Sequence, residues 1–537
     1  MQGKGANHVS PVDLHDRVII KLLAERAKSS PDVPFLHIGG VDLTYGETYA
    51  QVQRTANGLA ELGVQPGDRV VIMLANRLEF LLSWFAPALL GATVVPINPD
   101  WKGDTLHYIL SDAAPVVLIT NEALVGTVSA AVLDIPTLKA VVVCDSSLSG
   151  DSSGPWRQVS WTEMLAEAPE TRRDTSLSCY SDVFAILYSS GTTGRPKGIM
   201  LPNAHIYSFG INWIATTNLQ QDDVLYAPLS LFYMQPMILG VVPVLMVGAQ
   251  VHIAERFSAT RYWADIRRTE ATIAHGQFTL IPILLKEPPS NQDRQHRCTR
   301  VFIGKSNEDF ETRFGVRLIE IYGSTESNLV TYVPWEEPRA NSCGKAAPDF
   351  EVRIVDDDDR ELPQGELGEI VFRPKEPYVI SYGYLNQPGA TLEAFRNLWF
   401  HLGDRGYQDK DGYFYFVDRK KDVIRRKGEN ISSQELERQV TAHPEVTACA
   451  VVPIPDREAE EEVKAFVVVR EGAKLTSQEL IDYLSSRLPR FMVPRYIEFV
   501  SSMPLTPSMK IEKFKLREIG LTAQTWDRQS GDYVQSS

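Results

Sequence analysis

Tyr188-Ser-Ser-Gly-Thr-Thr-Gly-Arg-Pro-Lys-Gly198 is the stretch on which the reading of this chain turns. It packs Ser189, Ser190, Thr192, Thr193, Gly191, Gly194, Gly198 and Lys197 into eleven residues. The apolar run Val183–Leu187 leads into it and reads as a buried strand. Glycines let backbone N–H groups approach a polyanion, hydroxyls donate further hydrogen bonds, and the lysine adds charge. A strand that ends in such a loop suits a triphosphate. It is not the common P-loop, in which Lys is followed at once by Ser or Thr; here Lys197 precedes Gly198. A solvated turn is the competing reading of any Ser/Thr/Gly stretch, so the remaining motifs must decide.

Bulk properties bound the answer. The chain has 537 residues, too many for one core, so at least two domains are expected. Hydrophobic residues make up 44% and charged residues 23%, an ordinary globular composition. The net charge of -14 argues against nucleic acid or an anionic membrane as the main partner. Five scattered cysteines with no CxxC pair suggest neither a zinc site nor a disulfide framework. The start lacks an apolar signal region, and the longest apolar run, Met237–Ala249, is interrupted by Gly240, Pro243 and Gly248. A buried segment fits that run better than a membrane span, and a cytoplasmic setting is expected.

Helix-like and strand-like segments alternate to about Ile321, which predicts α/β layers with parallel strands. The residues up to about Asp13 read as a polar, mobile start, and Ser146–Pro155 as a surface loop. After Asp349, Glu351–Val355 and Glu369–Phe372 read as strands of a small antiparallel sheet, joined through Asp356–Asp359. Four successive aspartates on one extended run cannot all reach one ion, so a solvated turn is expected there. Beyond Asp418–Lys421, Gln434–Val440, Thr447–Pro453, Val463–Val469 and Ser477–Leu488 read as helix, strand, strand, helix. The expected division is 14–418, a hinge at 419–421, a small α+β domain over 422–521, and a disordered tail over 522–537.

Further motifs follow in order. Tyr322-Gly323-Ser324-Thr325-Glu326 comes after the apolar strand Val316–Ile321 and offers a hydroxyl and a carboxylate at a strand end. Mg²⁺ prefers one or two carboxylates plus phosphate oxygens and water. Trp399–Asp404, followed by Gly412-Tyr413-Phe414 and Asp418-Arg419, puts a carboxylate after a tight glycine turn, suited to two ribose hydroxyls. Arg419–Lys427 carries six positive charges, and Pro504–Lys513 holds Lys510. Gly365–Glu369, Gly383-Tyr384 and Pro228–Gln235 are weaker marks along the same frame.

Taken together these motifs resemble the adenylate-forming enzymes: acyl-CoA synthetases, luciferases and peptide-synthetase adenylation domains. The likeness runs from about Leu43 to about Leu516. Pro96–Asp104 and Phe491–Phe499 are most similar to bacterial carnitine- or crotonobetaine-CoA ligase-like acyl-CoA synthetases. The resemblance implies a large N-terminal domain of two α/β layers and a small β-sheet subdomain, with a small mobile α+β C-terminal domain. It implies activation of a small carboxylic acid by ATP, with Mg²⁺, to an acyl-AMP, then transfer to coenzyme A, with a possible homodimer.

By the same resemblance, ATP falls to Ser189, Ser190, Gly191, Thr192, Thr193, Gly194, Lys197, Tyr322, Gly323 and Thr325, and its ribose to Asp404 and Arg419. Glu326 and Thr193 fall to Mg²⁺ and, with Lys510, to catalysis. Lys421 matches the hinge. Gly428 and Arg425 match the thioester step, although Arg425–Lys427 reads equally well as a solvated charged face. Trp213, Tyr233, His275 and Gly304 stand near the acyl pocket, where aromatic side chains fit a core equally well. Departures from the family pattern are Leu402 for Thr, Met509 for Gly, and a shortened stretch from Gly304 to Phe310. An amino-acid adenylation domain, a luciferase-like oxygenase and a non-catalytic ATP sensor remain as alternatives. An amino-acid enzyme would need an acidic group at the Tyr233 position to meet an α-ammonium.

Overall fold

The computed structural model describes residues 12–132, 134–145, 156–170, 173–189, 196–277, 280–302, 306–419, 423–426, 429–456, 460–488, 490, 492–505 and 511–534. The polar start and the Ser146–Pro155 loop therefore lie almost wholly outside the described residues. Contacts divide the described chain into a larger unit, 12–189, 196–351 and 372–400, and a smaller one, 352–371 and 401–534. The expected boundary at Asp418 thus differs from the contact-defined one. Residues 401–419 cluster with 352–371, their neighbours in a four-stranded sheet ordered Phe350–Val355, Gly368–Pro374, Phe400–Gln408, Phe414–Arg419.

Two seven-stranded sheets organise the larger unit. In the first, the spatial order is Arg157–Ser160, Ala140–Cys144, Val117–Asn121, Arg69–Ile72, Thr93–Pro96, Val183–Ser189, Lys197–Pro202. All neighbours are parallel except the last pair, which is antiparallel. The second runs Arg317–Ile319, Arg300–Phe302, Ile273–His275, Val224–Ala227, Gln250–Ile253, Pro34–Ile38, Val41–Thr44. It too is parallel but for its final hairpin. The expected parallel α/β layers are found.

Parallel strands covered by helices are buried on both faces and need apolar residues at every position. Along Arg69–Ile72, Val70 and Ile72 enter a central core that also takes Leu225, Val251 and Ile273 of the other sheet. Val71 enters a second core, with Leu106, Ile109 and Leu110 of the helix Gly103–Ala113. On the outer face of the other sheet, Tyr226, Ala274, Val301 and Leu318 pack with Tyr262, Ile266, Leu284 and Phe310. The apolar run Met237–Ala249 becomes a π-helical turn, Met237–Val241, and a helix, Val242–Val247, within the central core.

Two local readings need correction. The expected strand Val316–Ile321 is divided. Arg317–Ile319 ends the second sheet, and Ile321–Ser324 begins a separate three-stranded sheet with Asn328–Tyr332 and Lys345–Ala346. Leu402–Asp404 is no tight turn but part of the strand Phe400–Gln408, in which Gly403 takes φ +75°. The Asp356–Asp359 turn is as expected: Asp356 Oδ1 accepts from the backbone of Asp358 and Arg360, each at 2.9 Å.

In the smaller unit the expected helix–strand–strand–helix order appears as Ser433–Thr441, Val446–Asp456, Glu460–Val469 and Ser477–Ser485. The tail from Thr522 is not disordered through Val534. Trp526–Asp527 pairs antiparallel with Tyr496–Phe499 and with Asp532–Tyr533, and Trp526 enters the same core as Ile424, Val463 and Leu484. Lys464, fully buried, donates to Glu498 Oε2 at 2.7 Å, Gly520 O at 2.6 Å and Thr525 Oγ1 at 2.9 Å. The polar composition of 522–534 hid one aromatic anchor, Trp526, and one acceptor, Thr525, for a buried cation elsewhere in the chain. Trp526→Ala should therefore destabilise the smaller unit by about 3–5 kcal/mol. The measurement is the urea midpoint; an unchanged midpoint would place the tail outside the core.

Candidate active site

The strand Lys197–Pro202 is an edge of its sheet, and a second segment covers that edge. Met200 N donates to Gly383 O at 3.0 Å, Tyr382 N to Met200 O at 2.9 Å, and Leu385 N to Gly198 O at 2.7 Å. Ile199 and Tyr384 thereby face each other in an antiparallel bridge. The pairing sets the Lys197 ammonium over the Tyr384 ring, 4.6 Å from its centroid. Gly383 takes φ +98°, and a Cβ there would come within 2.3 Å of Thr391. Thr391 Oγ1 in turn accepts from Tyr384 N at 2.9 Å.

Glu326 approaches the same ring. Its Oε1 lies 3.4 Å from the Tyr384 hydroxyl, a long bond, and its backbone carbonyl accepts from Ser381 N at 3.1 Å. Burial first, then the Glu326 carboxylate, pushes the Tyr384 phenol well above its ordinary range. The carboxylate and the ammonium thus share one half-buried tyrosine. The hairpin that presents Glu326 is tight. A Cβ on Gly323 would come within 2.2 Å of Asn328 O, and Asn328 itself has φ 82°. Thr325 Oγ1 donates to Met234 Sδ at 3.2 Å. Ser324 N donates to Ser327 Oγ at 2.8 Å, which closes the turn. Tyr322 is buried at the start of the hairpin.

Beneath the turn lies His205, fully buried, its two ring nitrogens each 3.0 Å from a carbonyl: Nδ1 from Val379 O and Nε2 from Thr325 O. Burial draws its pKa down to about 4. Trp213 and His275 are also fully buried, edge to face at 5.6 Å. His275 Nε2 donates to Leu239 O at 3.1 Å, and burial takes its pKa down to about 3. Tyr233 is half-buried against Phe232, with ring centroids 4.2 Å apart.

In the smaller unit Asp404, buried, stands in register opposite Arg419 across an antiparallel pair. Arg425 lies on the strand Val423–Arg426, opposite Asn430. Ser189 ends its strand in register with Lys197. Ser190, Gly191, Thr192, Thr193, Gly194, Gly304, Lys421, Gly428 and Lys510 lie outside the described residues. Tyr384 and His205 join the site without a role legible in the sequence, although Gly383-Tyr384 stands out there as a pair.

No group of three His, Cys, Asp or Glu side chains among the described residues could hold a metal ion alone. A single carboxylate beside a lysine suits instead a Mg²⁺ that shares its coordination with a triphosphate. None of the described helices is long and apolar enough to cross a membrane.

Residues 23–385 match the model of the AMP-binding enzyme family, and 435–510 that of the AMP-binding enzyme C-terminal domain. The crotonobetaine/carnitine–CoA ligase of Salmonella typhimurium is 33% identical over 483 residues, which span 88% of this chain and 93% of that protein. The ATP-bound structure of MatB from Rhodopseudomonas palustris superposes with a TM-score of 0.83 at 26% identity, over 93% of this chain and 98% of that one. A fatty acyl CoA synthetase of Mycobacterium tuberculosis gives 0.70 at 27% identity, over 94% and 98%. The chain belongs to the AMP-binding enzyme family. It is an acid–thiol ligase: it activates a carboxylic acid with ATP as an acyl-adenylate and transfers the acyl group to coenzyme A.

The shared tyrosine generates a test. Tyr384→Phe keeps the ring under Lys197 and loses only the long bond to Glu326, so the KM for MgATP should rise no more than severalfold. Tyr384→Ala loses the ring as well, and a cation–π contact of ~1–2 kcal/mol with it, so KM should rise by ~10-fold or more. Equal effects of the two variants in pyrophosphate exchange would show that the ring does nothing for Lys197.

Proposed function

We propose that Lys197 and Glu326, converging on Tyr384, form the triphosphate and Mg²⁺ part of the site; that convergence is the observation that carries the reading. Glu326 and Thr193 would hold the ion, which when bound neutralises charge on the phosphates. Ser189, Ser190, Gly191, Thr192, Thr193, Gly194, Lys197, Tyr322, Gly323 and Thr325 bind the nucleotide. Asp404, with Arg419, takes the ribose. Lys510 meets the developing charge as a carboxylate oxygen attacks the α-phosphorus and the bond to pyrophosphate breaks. The coenzyme A thiolate then attacks the acyl carbon and AMP leaves, with Gly428 and Arg425 serving this step and Lys421 the hinge that precedes it. Preorganised position and charge suffice, because adenylation itself supplies the leaving group.

The acid is proposed to be short, with crotonobetaine or carnitine, after which the relatives are named, the first candidates. Trp213, Tyr233, His275 and Gly304 are assigned to its pocket. Full burial of Trp213 and His275 supports a closed end there. The five free cysteines suit a reducing, cytoplasmic compartment. Assembly as a homodimer completes the reading and is tested by light scattering.

Separating the half-reactions tests the catalytic assignment. Lys510→Ala should lose adenylation by ~10²–10³ or more yet still make thioester from supplied acyl-AMP. Lys421→Pro fixes φ and restricts Lys420, so it should form acyl-AMP and fail at thioester formation. Loss of both steps in both variants would refute the two-conformation mechanism. For the pocket, Trp213→Ala should move preference toward longer acids, by ~10-fold for each methylene newly accommodated. A uniform decline across a chain-length series would assign Trp213 to the core alone.

A further inference from the structure

We infer that His205 is a positioning residue for the nucleotide site, the clamp that holds the Thr325–Glu326 turn against the Val379–Tyr384 segment. This rests on the proposed role of Glu326. Glu326 and Tyr384 belong to two segments far apart in sequence, and both must be fixed for the carboxylate and the ring to meet. His205, on the helix Asn203–Thr217, meets both with its ring: Thr325 O lies 3.0 Å from Nε2 and Val379 O 3.0 Å from Nδ1, and the neutral imidazole donates its one N–H to one of them and packs against the other. Its backbone carbonyl accepts from Asn328 Nδ2 at 3.3 Å, and the same amide donates to Val379 O at 3.3 Å. Phe209, one turn along the helix, stands edge-on to the ring at 4.9 Å and fixes its plane.

No other side chain among the described residues is recorded bridging these two backbones with both of its polar ends. Ser381 N to Glu326 O is a direct backbone bond between the same segments, two residues beyond Val379. The imidazole therefore sits where a small displacement of either carbonyl would be passed to Glu326 on one side and toward Tyr384 on the other. A buried ring that serves packing alone would not need its single N–H held at a backbone carbonyl of a site segment. An aromatic hydrocarbon would fill the same space and avoid the burial of two polar atoms.

The test compares His205→Phe, which keeps the ring and removes both nitrogens, with His205→Gln, which keeps a donor of similar reach. Loss of one or two hydrogen bonds to a site turn is worth ~10–100-fold. In full-length enzyme assayed by pyrophosphate exchange, His205→Phe should raise the KM for MgATP by that factor and require more Mg²⁺. The KM for the acid should stay within about threefold, and His205→Gln should recover most of the loss. A merely structural histidine would lower the amount of active enzyme and kcat and leave the KM for MgATP and the Mg²⁺ requirement alone; that result overturns the inference. Should His205→Phe not fold, His205→Asn, too short to reach both carbonyls, carries the same expectation and the same refutation. Glu326→Gln is run alongside. If it leaves exchange unchanged, the metal-site reading fails whatever His205 does. If Glu326→Gln is impaired while the His205 variants are not, only the clamp fails.

Discussion

The backbone pairing of Gly198–Met200 with Tyr382–Leu385 is the constraint from which the rest of the site follows. An open strand edge is a liability in any sheet. Here the edge strand begins at Lys197, directly after the glycine-rich loop, and its cover brings Tyr384. Lys197 gains an aromatic face and Glu326 a phenol, so two opposite charges are oriented by one ring without forming an ion pair that would have to be broken on ligand binding. A direct Lys–Glu pair would bury both charges against each other. A shared tyrosine leaves each with capacity for phosphate or metal.

The same logic explains the strain at the site. Gly323 lies against Asn328 O, Asn328 is left-handed, and Gly383 presses on Thr391. Backbone in sparsely populated conformations persists only where the surroundings over-determine it. In this protein the surroundings are the His205 ring, the Asn328 amide and the Thr391 hydroxyl, each bonded to a backbone group of the two segments. The polar side chains buried here satisfy backbone atoms of irregular segments, which no ladder serves.

Much of this was legible in the sequence. The run Val183–Leu187 announced a buried strand, because a covered parallel sheet takes apolar residues at successive positions. Lys197 and Glu326 stood out as strand-end residues, one in a loop composed to meet a polyanion and one in a turn that offers a carboxylate, and their assignment to the triphosphate and Mg²⁺ is a proposal. Three features were not legible. The strand expected over Val316–Ile321 splits between two sheets, a change of partner that leaves the apolar pattern intact. The segment Leu402–Asp404 reads as a turn because of Gly403, yet a positive-φ glycine is accommodated within a strand. His205 carries no local signal at all: its role depends on two carbonyls more than a hundred residues away.

The tail illustrates a more general limit. Composition judges a segment by its average, whereas folding is decided by the few side chains that find a core. Between Thr522 and Val534 the average is polar, but Trp526 fills a place among Ile424, Val463 and Leu484, and Thr525 completes the shell of a fully buried lysine. A buried ammonium must collect acceptors from wherever the chain can supply them. Lys464 draws on Glu498 and on Gly520 and Thr525. Among the polar residues that suggested disorder, Thr525 is one that the buried charge requires, so at that position polarity helps to order the segment.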